Sequence, residues 1–187
     1  MTVVTGDFEL TMDEVRVVAR YALASAEEVL PVFEETSPGD PRPRAAIDAA
    51  RVFVNGARRT KLQRITSLDA HKAAKEAPTE AARLAARAAG DAASAAYLHP
   101  IAKATQVGHI LRAAASAARV GELNADDDPG VGLRLIEEAR QRATPVLIEV
   151  LNRYPLAPTG RSRTAQLLTI LDASLRHDET WLDERCR

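Results

Sequence analysis

The chain has 187 residues, of which 46% are hydrophobic and 27% charged, and its formal net charge is -1. Alanine accounts for 36 residues and aromatic side chains for only 4% of the chain, so small side chains must fill one core of domain size. This composition favours closely packed helices over β-sandwiches and barrels, which need β-branched and aromatic residues in alternating runs. The near-neutral charge gives no overall attraction to nucleic acid, and we expect none to bind.

Membrane-spanning, secreted and disulfide-stabilised proteins are not expected. No apolar run approaches the roughly 20 residues that a membrane span requires. The first ten residues, MTVVTGDFEL, contain acidic side chains and lack the basic region of a secretory signal. The one cysteine, Cys186, has no partner in the chain, which fits a reducing cytoplasm. We therefore expect a cytoplasmic protein with no membrane segment.

The pattern of apolar residues and helix caps predicts eight helices. Thr11 and Glu14 form a capping box at the first start, and Asp40 followed by Pro41 is typical of a second. The predicted helices cover residues 11–35, 41–55, 60–76, 79–98, 100–121, 131–143, 145–153 and 162–175. His99 and Pro100 mark either a kink or the start of the fifth helix. The sixth and seventh are alternatively one helix kinked at Pro145. No repeat of fixed length relates the helices, so we predict a single compact, mostly antiparallel, all-α bundle of seven or eight helices.

Two of the predicted helices differ in the size of their apolar residues. The third contains Leu62, Ile65, Leu68 and Ala73. The fourth is almost entirely alanine on two faces, so another helix can approach it closely. Because alanine buries little apolar area, large residues elsewhere must supply most of the core.

The sequence contains no catalytic or cofactor motif. It lacks the phosphate-binding GxxxxGK[ST], the dinucleotide-binding GxGxxG, and the patterns HExxH, CxxC and GxSxG. The run of aspartates at residues 126–128 lacks the alternating oxygens, central glycine and distal glutamate of a calcium loop. We therefore predict no catalytic residue, no cofactor and no metal ligand, and we do not expect an enzyme.

Several polar residues near the fourth and fifth predicted helices are candidates for a pocket. His99, Lys103 and Gln106 are predicted to share one helix face, at i, i+4 and i+7. The full set of candidates is His71, Tyr97, His99, Lys103, Gln106 and His109. In the alternative interpretation, the histidines lie at helix ends or on the surface and bond to backbone or water.

Charge is distributed unevenly along the chain. Residues 1–36 contain eight acidic and two basic residues, whereas residues 40–75 contain nine basic and three acidic ones. Either the basic region is a patch for an acidic partner, or the first helix packs beside the second and third with complementary charges along the seam. The candidates for partner contact are Asp40, Arg42, Arg44 and Arg51. The first two of these arginines, on a turn stiffened by prolines, would either grip a partner or clamp Glu34 or Glu35.

The most distinctive stretch is VLPVFEETSPGDPRPRAAIDAAR, at residues 29–51. An alanine-rich DAHKAAKEA follows at residues 69–77, and AARLAARAAG ends at Gly90. On these segments the chain resembles the Imm-five-like immunity proteins of bacterial polymorphic-toxin systems, over residues 19–118. The chain departs from this family at Asp91, where many relatives have a histidine.

The resemblance implies an all-helical protein that neutralises a cognate toxin by binding it. Some relatives carry an exonuclease label, but this chain shows no nucleotide-binding loop and no cluster of metal-binding carboxylates. Two alternatives stay open: a helical bundle whose small histidine-containing pocket binds a metal or small ligand, and a homodimer with alanine-rich helices packed across a two-fold axis. The expected division of the chain is a flexible segment at residues 1–10, a helical domain at 11–177 with a family-like core at 11–121 and C-terminal helices at 129–177, and a tail at 178–187.

Overall fold

The computed structural model of the chain describes residues 3–177, and the side chains of residues 6–176. Eight α-helices and one two-stranded hairpin lie in this range, and the predicted all-α bundle is confirmed. The helices are α1 (Met12–Thr36), α2 (Arg42–Val54), α3 (Lys61–Glu76), α4 (Glu80–Ser94), α5 (Val107–Asn124), α6 (Pro129–Arg142), α7 (Pro145–Asn152) and α8 (Arg163–His177), and the strands are β1 (Val3–Thr5) and β2 (Glu9–Thr11). The predicted tail at residues 178–187 lies outside the described part of the chain.

Polar side chains fix where several helices begin. The capping box predicted for α1 is present: the Glu14 amide donates to the Thr11 hydroxyl at 3.2 Å, and the Thr11 amide donates to the Glu14 carboxylate at 2.6 Å. Threonines also cap α3, α4 and α7, at Thr60, Thr79 and Thr144. These bonds satisfy N–H groups that a helix start leaves free, and each contributes about 1 kcal/mol to stability.

The alanine-rich α4 lies at the centre of the bundle and contacts α1, α2, α3 and α5. Ten of its fifteen residues are buried, most of them alanines, so the neighbouring helices come close. A Cβ on Gly90 would lie 2.9 Å from the imidazole of His71 on α3, so glycine permits this approach. Ser67 of α3 donates a hydrogen bond to the Gly90 carbonyl at 2.8 Å. Larger buried side chains, among them Phe33 and Leu111, come from the surrounding helices.

The C-terminal helices α6 and α8 pack on α5 around a buried carboxylate. Glu122 accepts two hydrogen bonds from Arg163 of α8, from Nη2 at 2.6 Å and Nε at 3.0 Å, and one from Arg119 at 2.9 Å. A Cβ on Gly132 of α6 would lie 2.0 Å from a Glu122 oxygen, so α6 crosses α5 closely only because this residue is glycine. The buried charge is therefore compensated by arginines from two helices, which ties α8 to the core.

The N-terminal residues, expected to be flexible, contain two paired strands. β1 and β2 are antiparallel, with Val3 opposite Thr11. Leu10 is fully buried, and the rings of Phe8 and Tyr154 meet edge to face with centroids 5.0 Å apart. Strands of three residues are too short to show a period in the sequence, so tertiary contacts define this hairpin.

The fifth helix was predicted to begin at Pro100, and this prediction is wrong. After α4 the chain makes a 3₁₀ turn at residues 95–97, runs without helix to residue 103, makes a second 3₁₀ turn at 104–106 and only then begins α5. The residue before a proline is disfavoured in helices, which explains why His99 is not helical. The Ala102 amide instead donates to the Asp7 carboxylate at 2.7 Å, which fastens this connection to the hairpin. His99, Lys103 and Gln106 consequently share no helix face.

Candidate functional site

The loop before α2 holds the first pair of candidates for partner contact. Arg42 donates to both Asp40 oxygens, with the shortest bond at 2.6 Å, and to Glu76 of α3 at 2.5 Å. The Arg42 amide also bonds to Asp40 at 3.0 Å, so this carboxylate caps the start of α2. Hydrogen bonds from Arg42 lower the pKa of both Asp40 and Glu76. Asp40 and Arg42 therefore already have partners within the chain.

The other two candidate arginines join α2 to α1. Arg44 forms two parallel hydrogen bonds with Glu34, at 2.8 and 2.6 Å, so the predicted clamp to Glu34 is confirmed for this residue. Arg51 bonds to Glu27 of α1 at 2.6 Å and to Asp48 at 2.8 Å. All these pairs are solvent-exposed, and those with Glu34 and Glu27 form the part of the predicted complementary seam that lies between α1 and α2. A contact of these residues with a partner stays a prediction.

The helix α3 has its polar and apolar faces exchanged relative to an ordinary amphipathic helix. Leu62, Ile65 and Leu68 are 48%, 54% and 55% exposed. The face turned to the bundle instead carries small or polar side chains, namely Gln63, Thr66, Ser67, Ala70, Ala73 and Ala74. The close approach of α4 leaves no room for large residues there. Buried Gln63 is satisfied by a hydrogen bond to the Ala49 carbonyl at 3.1 Å.

Basic side chains surround this exposed apolar row, which we call the α3 outer face (Leu62, Ile65, Leu68). Lys61, Arg64 and Lys75 lie on the same helix, and in residues 3–177 none of them forms an ion pair. Lys72 is paired with Asp69 at 3.1 Å. Residues three and four apart on a helix are neighbours, so Arg64 lies beside Leu68 and Lys61 beside Ile65. The α3 outer face is thus apolar with a positive margin.

A buried ion pair lies beneath one edge of α3. Asp91 of α4 is 1% exposed and receives two hydrogen bonds from Arg112 of α5, at 2.8 and 2.6 Å. His71 Nε2 is 3.6 Å from the same carboxylate. On the other side, His109 Nδ1 is 3.1 Å from the Ser94 hydroxyl. Burial lowers the pKa of both histidines, and the positive charge of Arg112 adds to this effect.

A cavity of about 360 Å³ opens beside this ion pair. We call it the basic pocket, and it is lined by His71, Ala74, Lys75, Arg83, Arg87 and Arg112. Lys75, Arg83 and Arg87 have no carboxylate within ion-pair distance among the described residues. The Asp91 carboxylate, which lies next to the pocket, is already bonded to Arg112. The pocket therefore carries an excess of positive charge.

Only two of the six pocket candidates, His71 and His109, lie at the buried ion pair. The Tyr97 hydroxyl donates to the Thr60 carbonyl at 2.7 Å, and its ring stacks under Arg59 with 5.0 Å to the centroid. Gln106 accepts a hydrogen bond from the His99 amide at 3.1 Å, which stabilises the connection before α5. His99 and Lys103 are exposed.

The residues that sequence reasoning missed are Asp91, Arg112, Arg83 and Arg87. The i, i+4 spacing of Arg83 and Arg87 on α4 could have indicated a paired basic site. The pairing of Asp91 with Arg112 depends on how α4 and α5 cross, which no local pattern records. In residues 3–177, no group of three or more histidine, cysteine or acidic side chains is placed to hold a metal. Nor does any helix of that range have the length and apolar character to cross a membrane.

Comparison with known families identifies a family for this chain. The model of a family described as Imm-5 like putative immunity protein matches residues 9–128, which is more than half of the chain. The match covers the hairpin strand β2 and helices α1 to α5, and it ends just before α6. No curated protein and no solved structure matches the chain.

Proposed function

We propose that this chain, which belongs to the Imm-5 like family of immunity proteins, neutralises a cognate bacterial toxin by binding it through the α3 outer face. The exposed row Leu62, Ile65 and Leu68 is the observation that carries the proposal. Neutralisation by occlusion needs a rigid complementary surface with a few well-packed anchors, and it needs no catalytic group. The site of action in this proposal is the cytoplasm.

The apolar row supports a protein contact because large exposed apolar side chains in a group often mark an interaction site. Each of the three residues leaves about half of its area in water. Polar residues at these positions would have avoided this exposure of apolar surface. Burial of such residues at the centre of an interface is the usual source of binding energy. The three side chains lie on successive turns and fit a groove or a flat apolar patch.

The charge around the row indicates the chemistry of the toxin. Lys61, Arg64 and Lys75 have no acidic partner among the residues that the structure describes. Complementary charges at the rim of an interface accelerate association and suppress wrong partners. The toxin surface that binds here is therefore expected to present apolar residues bordered by aspartate and glutamate.

Coexpression with toxins encoded by neighbouring genes tests the proposal. We expect the chain to restore growth of cells that produce the cognate toxin, and the purified proteins to form a complex. Replacement of Ile65 and Leu68 by glutamate should weaken that complex by at least roughly thirtyfold, the effect typical of an interface hot spot, and abolish protection. Unfolding of the free variant should be nearly unchanged, since both residues are exposed.

The matched control is Leu133→Glu on α6, because Leu133 is 48% exposed and lies outside the α3 outer face. This variant should protect as well as the original chain. Full protection by the Ile65 and Leu68 variant, or equal losses in both variants, would contradict the proposed surface. Light scattering tests whether the face binds a second copy of the chain instead. In that case the Ile65 and Leu68 variant turns a dimer into a monomer without affecting toxin binding.

A further inference from the structure

We infer that the basic pocket binds a small phosphorylated anion, a ligand class that toxin binding does not require. Three helices supply the lining: α3 contributes His71 and Lys75, α4 contributes Arg83 and Arg87, and α5 contributes Arg112. The packing of α4 against α3 and α5 holds the backbones of these residues in fixed relative positions. The pocket is thus a formed cavity and not a row of lysines and arginines along one helix.

Three of the four cationic side chains that line the pocket have no charge partner among the described residues. Lys75, Arg83 and Arg87 make no ion pair with any residue of the described chain. Arg112 uses Nε and Nη2 for Asp91, so its remaining nitrogen Nη1 is available to a ligand, and the buried carboxylate fixes the direction of the guanidinium. Three unpaired cations favour a ligand with two or three negative charges over a monocarboxylate.

Arginine side chains also match the geometry of phosphate. A guanidinium presents parallel N–H donors that bind two oxygens of one phosphate group, and this arrangement recurs wherever planar recognition of phosphate matters. Arg83 and Arg87 lie one helical turn apart and line the same cavity. His71 completes the lining with an imidazole whose pKa is lowered, mainly by burial, and which offers a hydrogen bond without adding charge.

The size of the cavity restricts the ligand. A volume of about 360 Å³ is at the small end of the range for ligand sites. Arg87 and Arg112 also line a second cavity of about 240 Å³, together with Thr105 and Thr164. The hydroxyls of these threonines make no hydrogen bond within residues 3–177. A phosphate in the basic pocket with a small hydroxylated remainder in the second cavity uses all these groups.

Calorimetric titration of the purified chain at constant ionic strength tests the inference, with inorganic phosphate, ribose 5-phosphate and acetate as probes. We expect one phosphate-type ligand per chain, and acetate to bind at least tenfold more weakly. Tighter binding of ribose 5-phosphate identifies a phosphorylated metabolite as the ligand, and tighter binding of phosphate identifies the free ion. Either result supports the site, whereas equal binding of acetate overturns it.

Variants locate the site independently of the toxin. The double substitution Arg83→Gln and Arg87→Gln should weaken phosphate binding at least tenfold, while Arg134→Gln, an exposed arginine on α6, should leave it unchanged. Both changes are at exposed positions, and matching thermal unfolding of the variants checks that the fold persists. In magnetic resonance spectra, the imidazole signals of His71 should shift on titration with phosphate, with those of exposed His99 as a reference. Unchanged affinity in the double variant, or no His71 shift, overturns the inference.

Discussion

Two groups of basic side chains lie on adjacent elements of the molecule and have different surroundings. Arg42, Arg44 and Arg51 of α2 each donate to at least one carboxylate, most of them on α1 or α3. Arg83 and Arg87 of α4, like Lys75 of α3, have none in the described part of the chain. The difference lies in the neighbours: Glu27 and Glu34 of α1 and Glu76 of α3 are within reach of α2, whereas no carboxylate of residues 3–177 lies within ion-pair distance of Lys75, Arg83 or Arg87.

This contrast shows that the number of charges in a segment does not identify a binding surface. The arginines of the most distinctive sequence motif stabilise the junction of α1 and α2. The unpaired cations lie instead in alanine-rich segments, where the sequence pattern does not indicate a binding site. Exposed ion pairs contribute little to stability. The main result of the pairing of Arg42, Arg44 and Arg51 is therefore that these arginines are less available to bind another molecule.

The largest effect is expected when the pair of buried Asp91 with Arg112, which lies next to the unpaired cations, is broken. Asp91→Ala should lower the free energy of unfolding by about 2 kcal/mol, because it removes two charge-assisted hydrogen bonds to a buried carboxylate and leaves Arg112, which is 31% exposed, without its partner. Denaturation with urea measures the change. Asp48→Ala is the control, since its pair with Arg51 is exposed and should cost less than about 1 kcal/mol. Equal losses in the two variants would contradict the distinction between buried and exposed pairs.

A second test measures how stability changes with pH, which reports on the histidines that lie near the cations. Burial lowers the pKa of His71 and His109, with Arg112 acting in the same direction. As pH falls below about 6.5, the unfolded chain binds protons that the folded chain resists, so stability should decrease, by at most about 1.4 kcal/mol per pH unit for each histidine.

The window from pH 7 to pH 5 isolates this effect. Carboxylates whose pKa is lowered by Arg42, those of Asp40 and Glu76, lose their contribution only as pH falls below their ordinary range, near pH 4. Urea denaturation at several pH values measures the slope. His71→Gln should make the slope shallower, and an unchanged slope in this variant would show that His71 does not resist protonation.

The smallest effect is expected in the paired group. Arg44→Ala should lower the free energy of unfolding by less than about 1 kcal/mol, because the bidentate pair with Glu34 is exposed. The difference from the original chain should shrink further in high salt, which screens such pairs. Urea denaturation at low and high salt provides the measurement. A loss as large as that of Asp91→Ala would show that the clamp stabilises the fold as strongly as a buried pair.

Much of the fold could be predicted because its determinants are local. The capping box of Thr11 and Glu14, and the alanine pattern of α4, define helices without reference to the rest of the chain. The start of α5 was predicted wrongly because Pro100 was interpreted as the first residue of the helix, whereas the helix begins at Val107. The loop and helix at residues 29–51 indicated the family that the comparison then found.

The candidate sites were predicted less well because they depend on packing between helices. The apolar residues of α3 gave no sign that they would face outward, since this orientation follows from the small side chains of α4. Similarly, Asp91 and Arg112 are 21 positions apart and meet only across two helices. Of the proposed polar pocket, His71 was among the histidine candidates, but its basic neighbours Arg83 and Arg87 were not.

The alanine lining of α4 has a consequence for how the molecule can change over generations. Alanine has no rotamers, so the interior cannot adjust by side-chain rearrangement, and substitutions there should be tolerated poorly. Leu62, Ile65 and Leu68 lie outside this interior, where exchanges usually alter stability by no more than about 0.5 kcal/mol. Under the proposed function, descendants of one ancestral chain could therefore diverge in the toxin they recognise, through successive substitutions on α3, while inheriting the same scaffold.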